Sequence, residues 1–215
     1  MQKATPVYEV WQFGGVASCH IDYDLAPYVK KSFYKHFATG CKYLESMAED
    51  DINVIVSKAK EEMPSIEDER FKAYERAYKY ATDMLEHEGK QAAQSLYHNL
   101  NTLESRAGSQ IPFTSINFGT DTSPEGRKVS IWLLEASLDG IGKNHLTPIF
   151  PISIWKNKDG VNAKPGDPNY DIKQLALKSL SHRIYPNIVN CDFTQNIEEP
   201  GNPDTEMATI NEPVA

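Results

Sequence analysis

The chain has 215 residues, enough for one large domain or two small ones around a real apolar core. Its 40% hydrophobic and 24% charged content is ordinary for a globular protein and excludes a wholly disordered one. A formal net charge of −8 excludes a surface that coats nucleic acid, since phosphate contact needs clustered Lys and Arg.

A nucleotide held in one local pocket stays compatible with that charge. No run of about 18 apolar residues occurs, so no membrane span is expected. No apolar core follows Met1-Gln-Lys-Ala-Thr-Pro6, so no export signal is read there. Cys19, Cys41 and Cys191 form an odd set without metal-ligand spacing and read as reduced cytoplasmic thiols. The six histidines form no ligand pair, so no metal site is expected.

The first residues, Val7-Tyr-Glu-Val-Trp-Gln-Phe-Gly-Gly15, look like the last turns of a helix. From Leu25 the apolar positions Tyr28, Val29, Phe33, Phe37, Cys41 and Leu44 follow helical spacing. Asp22 or Asp24 is expected to cap this helix, with Pro27 in its first turn. A charged interval, roughly Glu49 to Glu69, contains the breaker Met63-Pro64. A long helical stretch is predicted over about Asp68 to Ser105, and Gly89 is a candidate break within it.

The second half changes character. Ile111 to Phe118 alternates as a strand, with Pro112 near its start. Ser123-Pro124-Glu125 is a helix start, with a capping hydroxyl, a proline at the first position and a carboxylate near the positive dipole end. That helix should turn Val129, Trp132, Leu133 and Ala136 inward and stop at Gly140. Pro148 to Trp155 reads as a strand. The turn-rich Asn157–Asn169 loop leads to a helix carrying Ile172, Leu175, Ala176 and Leu180, capped by Asp167 or Asn169. Ile188 to Phe193 reads as a further short strand. Strands alternating with helices through short links predict a mainly parallel α/β sheet or barrel sector behind a helical N-terminal half. Residues 194–215, with Pro200, Pro203 and Pro213, read as a polar tail.

Few motifs carry chemistry alone. Gly140-Ile-Gly-Lys143 fails both phosphate-loop patterns, with Ser137, Asn144 and His145 at required positions, and reads as a helix-ending turn. Lys164-Pro-Gly-Asp-Pro-Asn-Tyr170 reads as a turn that orients two elements. Thr114, Ser115 and Asn117, polar groups on an apolar strand, are substrate-pocket candidates, because α/β folds gather ligands at strand ends. Local hydrogen bonding is the competing reading for them, as it is for Asn187 and Asn190. No neighbouring base is nominated to activate Cys191, which reads as a buried structural thiol.

Longer words carry a resemblance. Gln94 to Glu104 (QSLYHNLNTLE), Gly108 to Ser123 (GSQIPFTSINFGTDTS), Thr147 to Pro151 (TPIFP), Pro165 to Asp171 (PGDPNYD) and Arg183 to Asn187 (RIYPN) occur in that order. With Gly14-Gly15 and Leu25-Ala-Pro-Tyr28, they resemble the large subunit of anaerobic (class III) ribonucleoside-triphosphate reductases, glycyl-radical enzymes, over about residues 7 to 209. Sister enzymes of the pyruvate formate-lyase type fit the words less well.

The resemblance implies a partial sector of the ten-stranded α/β barrel of ribonucleotide reductases. Its barrel domain would span 1–209, mainly helical over about 7–105 and alternating over about 106–193. It implies strands near Val16–Ile21, Ile111–Phe118, Ile149–Trp155 and Ile188–Phe193. It makes Asp22 and Asp24 candidates for contact with a deoxynucleotide or ATP effector, in a region that packs subunits into a homodimer. In the full family enzyme a glycyl radical, installed by an iron–sulfur/S-adenosylmethionine activating enzyme, oxidises a cysteine. The thiyl radical then takes the ribose 3′-hydrogen, formate is the reductant, and zinc is bound towards the C-terminus.

Against that pattern, the family's Asn-Cys strand would lie before Met1. The Met-Gly-Cys-Arg word should begin near Ala208-Thr209, where the chain reads Ile210-Asn-Glu-Pro-Val-Ala215. Cys19, Cys41 and Cys191 match no catalytic position, so no catalytic residue, cofactor or metal is assigned to this chain. The expectation is an inactive fragment of the reductase. The alternative is a non-catalytic effector-binding or dimerisation module derived from it.

Overall fold

The computed structural model describes residues 15–62, 65–102 and 113–194. The expected helix end at 7–15 lies outside them apart from Gly15, and the tail outside them beyond Thr194.

Strand β1 (Val16–Ser18) leads into helix α1 (Ile21–Leu44), followed by α2 (Glu49–Glu62), a 3-10 turn (Glu69–Ala73) and α3 (Glu75–Thr102). Then come β2 (Thr114–Phe118), α4 (Pro124–Asp139), β3 (Ile152–Asn157), α5 (Tyr170–His182), β4 (Asn187–Asn190) and the single turn α6 (Cys191–Thr194). The strands form one sheet in the order β1-β2-β3-β4, every pair parallel. Parallel neighbours need long crossovers, and the helices supply them. The expected α/β sector behind a helical half is what forms.

The helices cover one face of the sheet. Phe118 and Trp155 pair in register there, ring centroids 5.8 Å apart, and both are fully buried. Further out, Phe33 and Phe37 of α1 each bring their ring to 5.0 Å from Phe71 in the 3-10 turn. This aromatic cluster ties the 3-10 turn to α1, and Phe33 and Phe37 also meet Tyr78 and Tyr74.

Several expectations need correction. Helix α1 starts at Ile21, so Asp22 and Asp24 lie inside its first turn, His20 is the cap residue, and no side chain caps it. Burial of Ile21, 2% exposed, draws the helix start forward. Pro27 therefore sits inside the helix, where its missing N–H costs a backbone bond. The charged interval is not only a connection: Glu49–Glu62 forms α2, with three acids in its first turn and Ile52 and Ala59 buried. The long stretch begins as 3-10, and α3 runs unbroken through Gly89. Strand β3 starts late, at Ile152, and β4 ends at Asn190, where the chain turns into α6 instead of continuing to Phe193. Of the apolar residues read on the last long helix, Ile172 and Ala176 are buried and Leu180 is 38% exposed.

Other readings hold. Ser123 caps α4, accepting from the N–H of Gly126 at 3.1 Å, Pro124 is its first residue, and Gly140 ends it with φ 75°. Val129, Trp132, Leu133 and Ala136 are all buried. The Gly140–Leu146 segment is a tight turn closed by an Ile141–Leu146 bridge. Neither Asp167 nor Asn169 bonds α5 as a side-chain cap; Asp167 accepts from Lys164 N instead.

Gly89 acts as a packing site. A Cβ built there would stand 2.5 Å from three indole carbons of Trp132, so α3 and α4 meet through a bare backbone. In an exposed helix Gly→Ala stabilises by about 1 kcal/mol. Here Gly89→Ala should reverse that sign and cost about 1–3 kcal/mol through overpacking. Urea denaturation checks it, and a stabilised variant would sink this account of the α3–α4 contact.

Candidate functional site

In open parallel sheets, ligand sites form beyond the carboxyl ends of the strands. At this end the β2–α4 loop, Gly119 to Ser123, is held from two sides. Asp22, 1% exposed, reaches in from α1 and accepts from the N–H groups of Gly119 (2.8 Å) and Asp121 (3.1 Å). Its other oxygen accepts from Tyr23 N at 3.1 Å. From the opposite side, Asn162 Nδ2 donates to Gly119 O and Lys156 O, both at 2.8 Å. Asn169 Nδ2 donates to Gly119 O at 3.1 Å and Asp121 O at 2.8 Å. Arg127 donates to Asn169 Oδ1 at 2.7 Å and pairs with Asp171 at the same distance. Gly119 has φ +114°, a conformation that favours glycine, and a Cβ there would also strike Trp155. Burial pushes the Asp22 carboxyl up, and the three N–H donors pull the other way.

Away from this loop, along β1 and the first residues of β2, lies a cleft of about 1190 Å³ between β1, β2, α1, α3 and α4. Leu85, Val129, Trp132 and Leu133 form an apolar wall, and Ser18, His20, Asp24, Tyr28 and Glu88 stand around it. Two buried nitrogens in this lining, His20 Nε2 and Trp132 Nε1, have no hydrogen-bond partner among the described residues. Burial, and then the charge of Lys156, push the His20 imidazole down, with Asp24 opposing. A neutral imidazole offers one donor and one acceptor. The described residues that line the cleft include no Lys or Arg, so it suits the uncharged part of a ligand better than a polyphosphate.

The candidates from the sequence separate. Asp24 lines the cleft and accepts from Ser18 Oγ at 3.0 Å, whereas Asp22 is committed to the loop. Thr114 and Ser115 border the cleft, which reaches round the β1 edge to Ala17; Asn117 does not line it. Strand alternation puts Ser115 and Asn117, both buried or half-buried, on the face away from the helices, and Thr114 on the helix face. Sequence reading missed His20, Trp132, Asn162 and Asn169 as site or loop-holding groups. Only the turn-rich Lys164–Tyr170 word hinted at the last.

Cys19, Cys41 and Cys191 are not joined in a disulfide, and burial pushes Cys41 up to about 11. Among the described residues no three His, Cys, Asp or Glu side chains gather as a metal site. The zinc implied by the resemblance finds no ligand set among the described residues. No described helix is long and apolar enough to cross a membrane.

The family model described as anaerobic ribonucleoside-triphosphate reductase matches residues 6–208. The chain belongs to this family. Among similar proteins of that name, the reductase of Escherichia coli is 37% identical over 180 residues, and that of Haemophilus influenzae 36% over 180. Each alignment covers 84% of this chain and 21% of the relative. The reductase of Enterobacteria phage T4 is 33% identical over 190 residues, covering 88% of this chain and 26% of that one. The chain thus spans about a fifth to a quarter of the length of these reductases.

Glu88, on the cleft wall, also pins α3 to α1. It accepts from Ser32 Oγ at 2.6 Å and Lys35 Nζ at 3.2 Å, and His36 Nε2 lies 2.9 Å away. Ser32, then His36, hold its carboxyl down at about 2 against an ordinary 4.5. A depressed carboxyl contributes stability above its unfolded pKa and loses it as pH falls through the folded one. Glu88→Gln should therefore remove stability at neutral pH and flatten the acid limb between pH 4.5 and 2. Glu88 is 40% exposed, so screening reduces the effect to about 1 kcal/mol. Denaturant midpoints measured across that window check it; an unchanged acid limb contradicts it.

Proposed function

We propose that this chain contributes a barrel sector to an anaerobic reductase that converts ribonucleoside triphosphates to deoxyribonucleoside triphosphates by glycyl and thiyl radical chemistry. The family match over residues 6–208, laid on an all-parallel sheet, carries this reading. In it, 1–209 is one barrel domain with 194–215 as its tail. The radical-bearing glycine, the thiyl cysteine and the zinc site belong to other parts of the enzyme, and formate and the activating enzyme act there. Three cysteines outside any disulfide agree with a cytoplasmic setting.

Within the sector, the cleft is proposed to receive the base and sugar of a deoxynucleotide effector, with the phosphates outside. A planar base suits the apolar wall, and its ring nitrogens and exocyclic groups suit His20 Nε2 and Trp132 Nε1. Asp24 faces the ligand, and Asp22 acts through the Gly119–Asp121 backbone. Ser115 and Asn117, on the face away from the helices, are proposed to look towards substrate, with Thr114 supporting the strand between. Dimerisation near α1 belongs to the same reading. The alternative, a binding or assembly module without catalysis, draws on the same cleft.

Two measurements test this. Calorimetry with each of the four deoxynucleoside triphosphates should show one site, weakened about tenfold by Trp132→Leu or Asp24→Ala, a loss of about 1.4 kcal/mol. Absence of binding by a folded chain removes the effector role. The purified chain, given activating enzyme, S-adenosylmethionine and formate, should give no turnover. Robust turnover would show that the chain carries its own radical chemistry and refute its assignment as a partial sector.

A further inference from the structure

The sheet face away from the helices carries polar groups that the helix-side core does not use. Phe118 pairs in register with Trp155, and both point to the helices. Lys156, the next residue of β3, therefore lies on the same far face as Asn117 of β2. Asn117 stands opposite Ile154, so Lys156 is its diagonal neighbour, about 8 Å away between Cα atoms. Asn117 is 4% exposed and Lys156 3%. Among the described residues no other Lys or Arg is buried. The Asn117 amide makes no side-chain hydrogen bond to another described residue.

We propose that Lys156 and Asn117 hold an oxyanion, a phosphate group or a carboxylate, on this far face at the carboxyl ends of β2 and β3. The proposal deepens the reading of that face as the substrate side and rests on it. A buried amide is stabilised by gaining an acceptor, and an anion offsets the desolvation of a buried ammonium. An anionic oxygen serves both, since the ammonium and the amide Nδ2 are donors. Asn162 Nδ2 donates to Gly119 O and Lys156 O, both at 2.8 Å, so the ends of β2 and β3 are fixed to each other. Donors held in place away from water act on an anion more strongly than exposed ones. The cleft on the helix side has no Lys or Arg in its described lining. The two places thus divide the chemistry, uncharged rings on one face and negative oxygen on the other. The Lys156 charge also reaches the β1–α1 turn, where, after burial, it pushes the His20 imidazole down against Asp24.

His20 supplies the readout. In the full 215-residue chain, its titration is followed by NMR at constant ionic strength, its signal assigned by loss in His20→Gln. Saturating sulfate should raise the His20 midpoint, because the bound anion offsets the Lys156 charge. In Lys156→Met the midpoint should start higher and ignore sulfate, with binding weakened at least tenfold. Asn117→Leu should weaken sulfate binding about tenfold, and Lys178→Met, on the exposed side of α5, should leave it unchanged. Circular dichroism confirms that each variant is folded. Acetate run in parallel separates the sources: tighter sulfate assigns a phosphate group, tighter acetate a carboxylate, and either supports the site. A wild-type chain whose His20 midpoint ignores both anions overturns the proposal, a result that needs no variant. Sulfate binding that survives Lys156→Met in a folded chain also overturns it, as an adventitious ion only. Where sulfate is the tighter, cytidine triphosphate should displace it. Failure to displace sulfate held through Lys156 leaves the anion site standing and removes the substrate reading of this face, so the two fail separately.

Discussion

One buried carboxylate connects the parts of this molecule that the covalent chain keeps far apart. Asp22 sits at the start of α1, and its acceptors hold backbone N–H groups of a loop about a hundred residues later. The same loop offers its carbonyls to Asn162 and Asn169, which stand before α5. Donors of the loop face a carboxylate and its acceptors face two amides, so a turn with little regular structure is satisfied in both senses. Leaving those N–H groups buried without a partner would cost about 1–3 kcal/mol each. The arrangement fixes α1, β2, the β3–α5 connection and α4 relative to one another, and hence the wall of the cleft. Arg127 extends it by binding Asn169 and Asp171 together.

The desolvation of Asp22 is the cost of that connection. Its carboxyl is pushed up by burial, so its ionised form weighs against folding at pH values above the shifted pKa. Glu88 has the opposite balance, being half in solvent and served by a hydroxyl, an imidazole and an ammonium. The two acids contribute through different means: Asp22 orders backbone, and Glu88, on the cleft wall, joins two helices by side chains. As pH falls, Asp22 therefore takes up its proton first, above the ordinary carboxylate value, and Glu88 only towards about 2.

What the sequence disclosed, and what it hid, follows from how local the cause was. The start of α4 was legible because Ser123, Pro124 and Glu125 settle it within three residues. The parallel sheet was legible from alternating element types and link lengths. Helix α2 was hidden because Glu49–Glu62 offers charges rather than an apolar stripe, and only Ile52 and Ala59 are buried. Asp22 reads as a cap in any local window; its true partners lie at Gly119 and Asp121. Gly89 reads as a helix breaker until Trp132 is seen lying against it. At the cleft, Asp24 is one of the residues singled out from the sequence, while His20 and Trp132 are not, since an imidazole and an indole become informative only when burial leaves their nitrogens unpaired.

The division of labour within the sheet has a physical basis. A parallel sheet is stable when its faces are covered, and here the helices cover one of them. Burial pushes the Cys41 thiol up, and Cys191 is buried as α6 begins. The helix face is sealed by Phe118 and Trp155, while Ser115 and Asn117 are presented on the other side of the same strand. Alternation along β2 thus gives one strand two duties, closing the core with Ile116 and Phe118 and offering polar groups to the opposite face. A strand divided in this way contributes to two surfaces at once, and a change at one of its positions need not disturb the face served by the next.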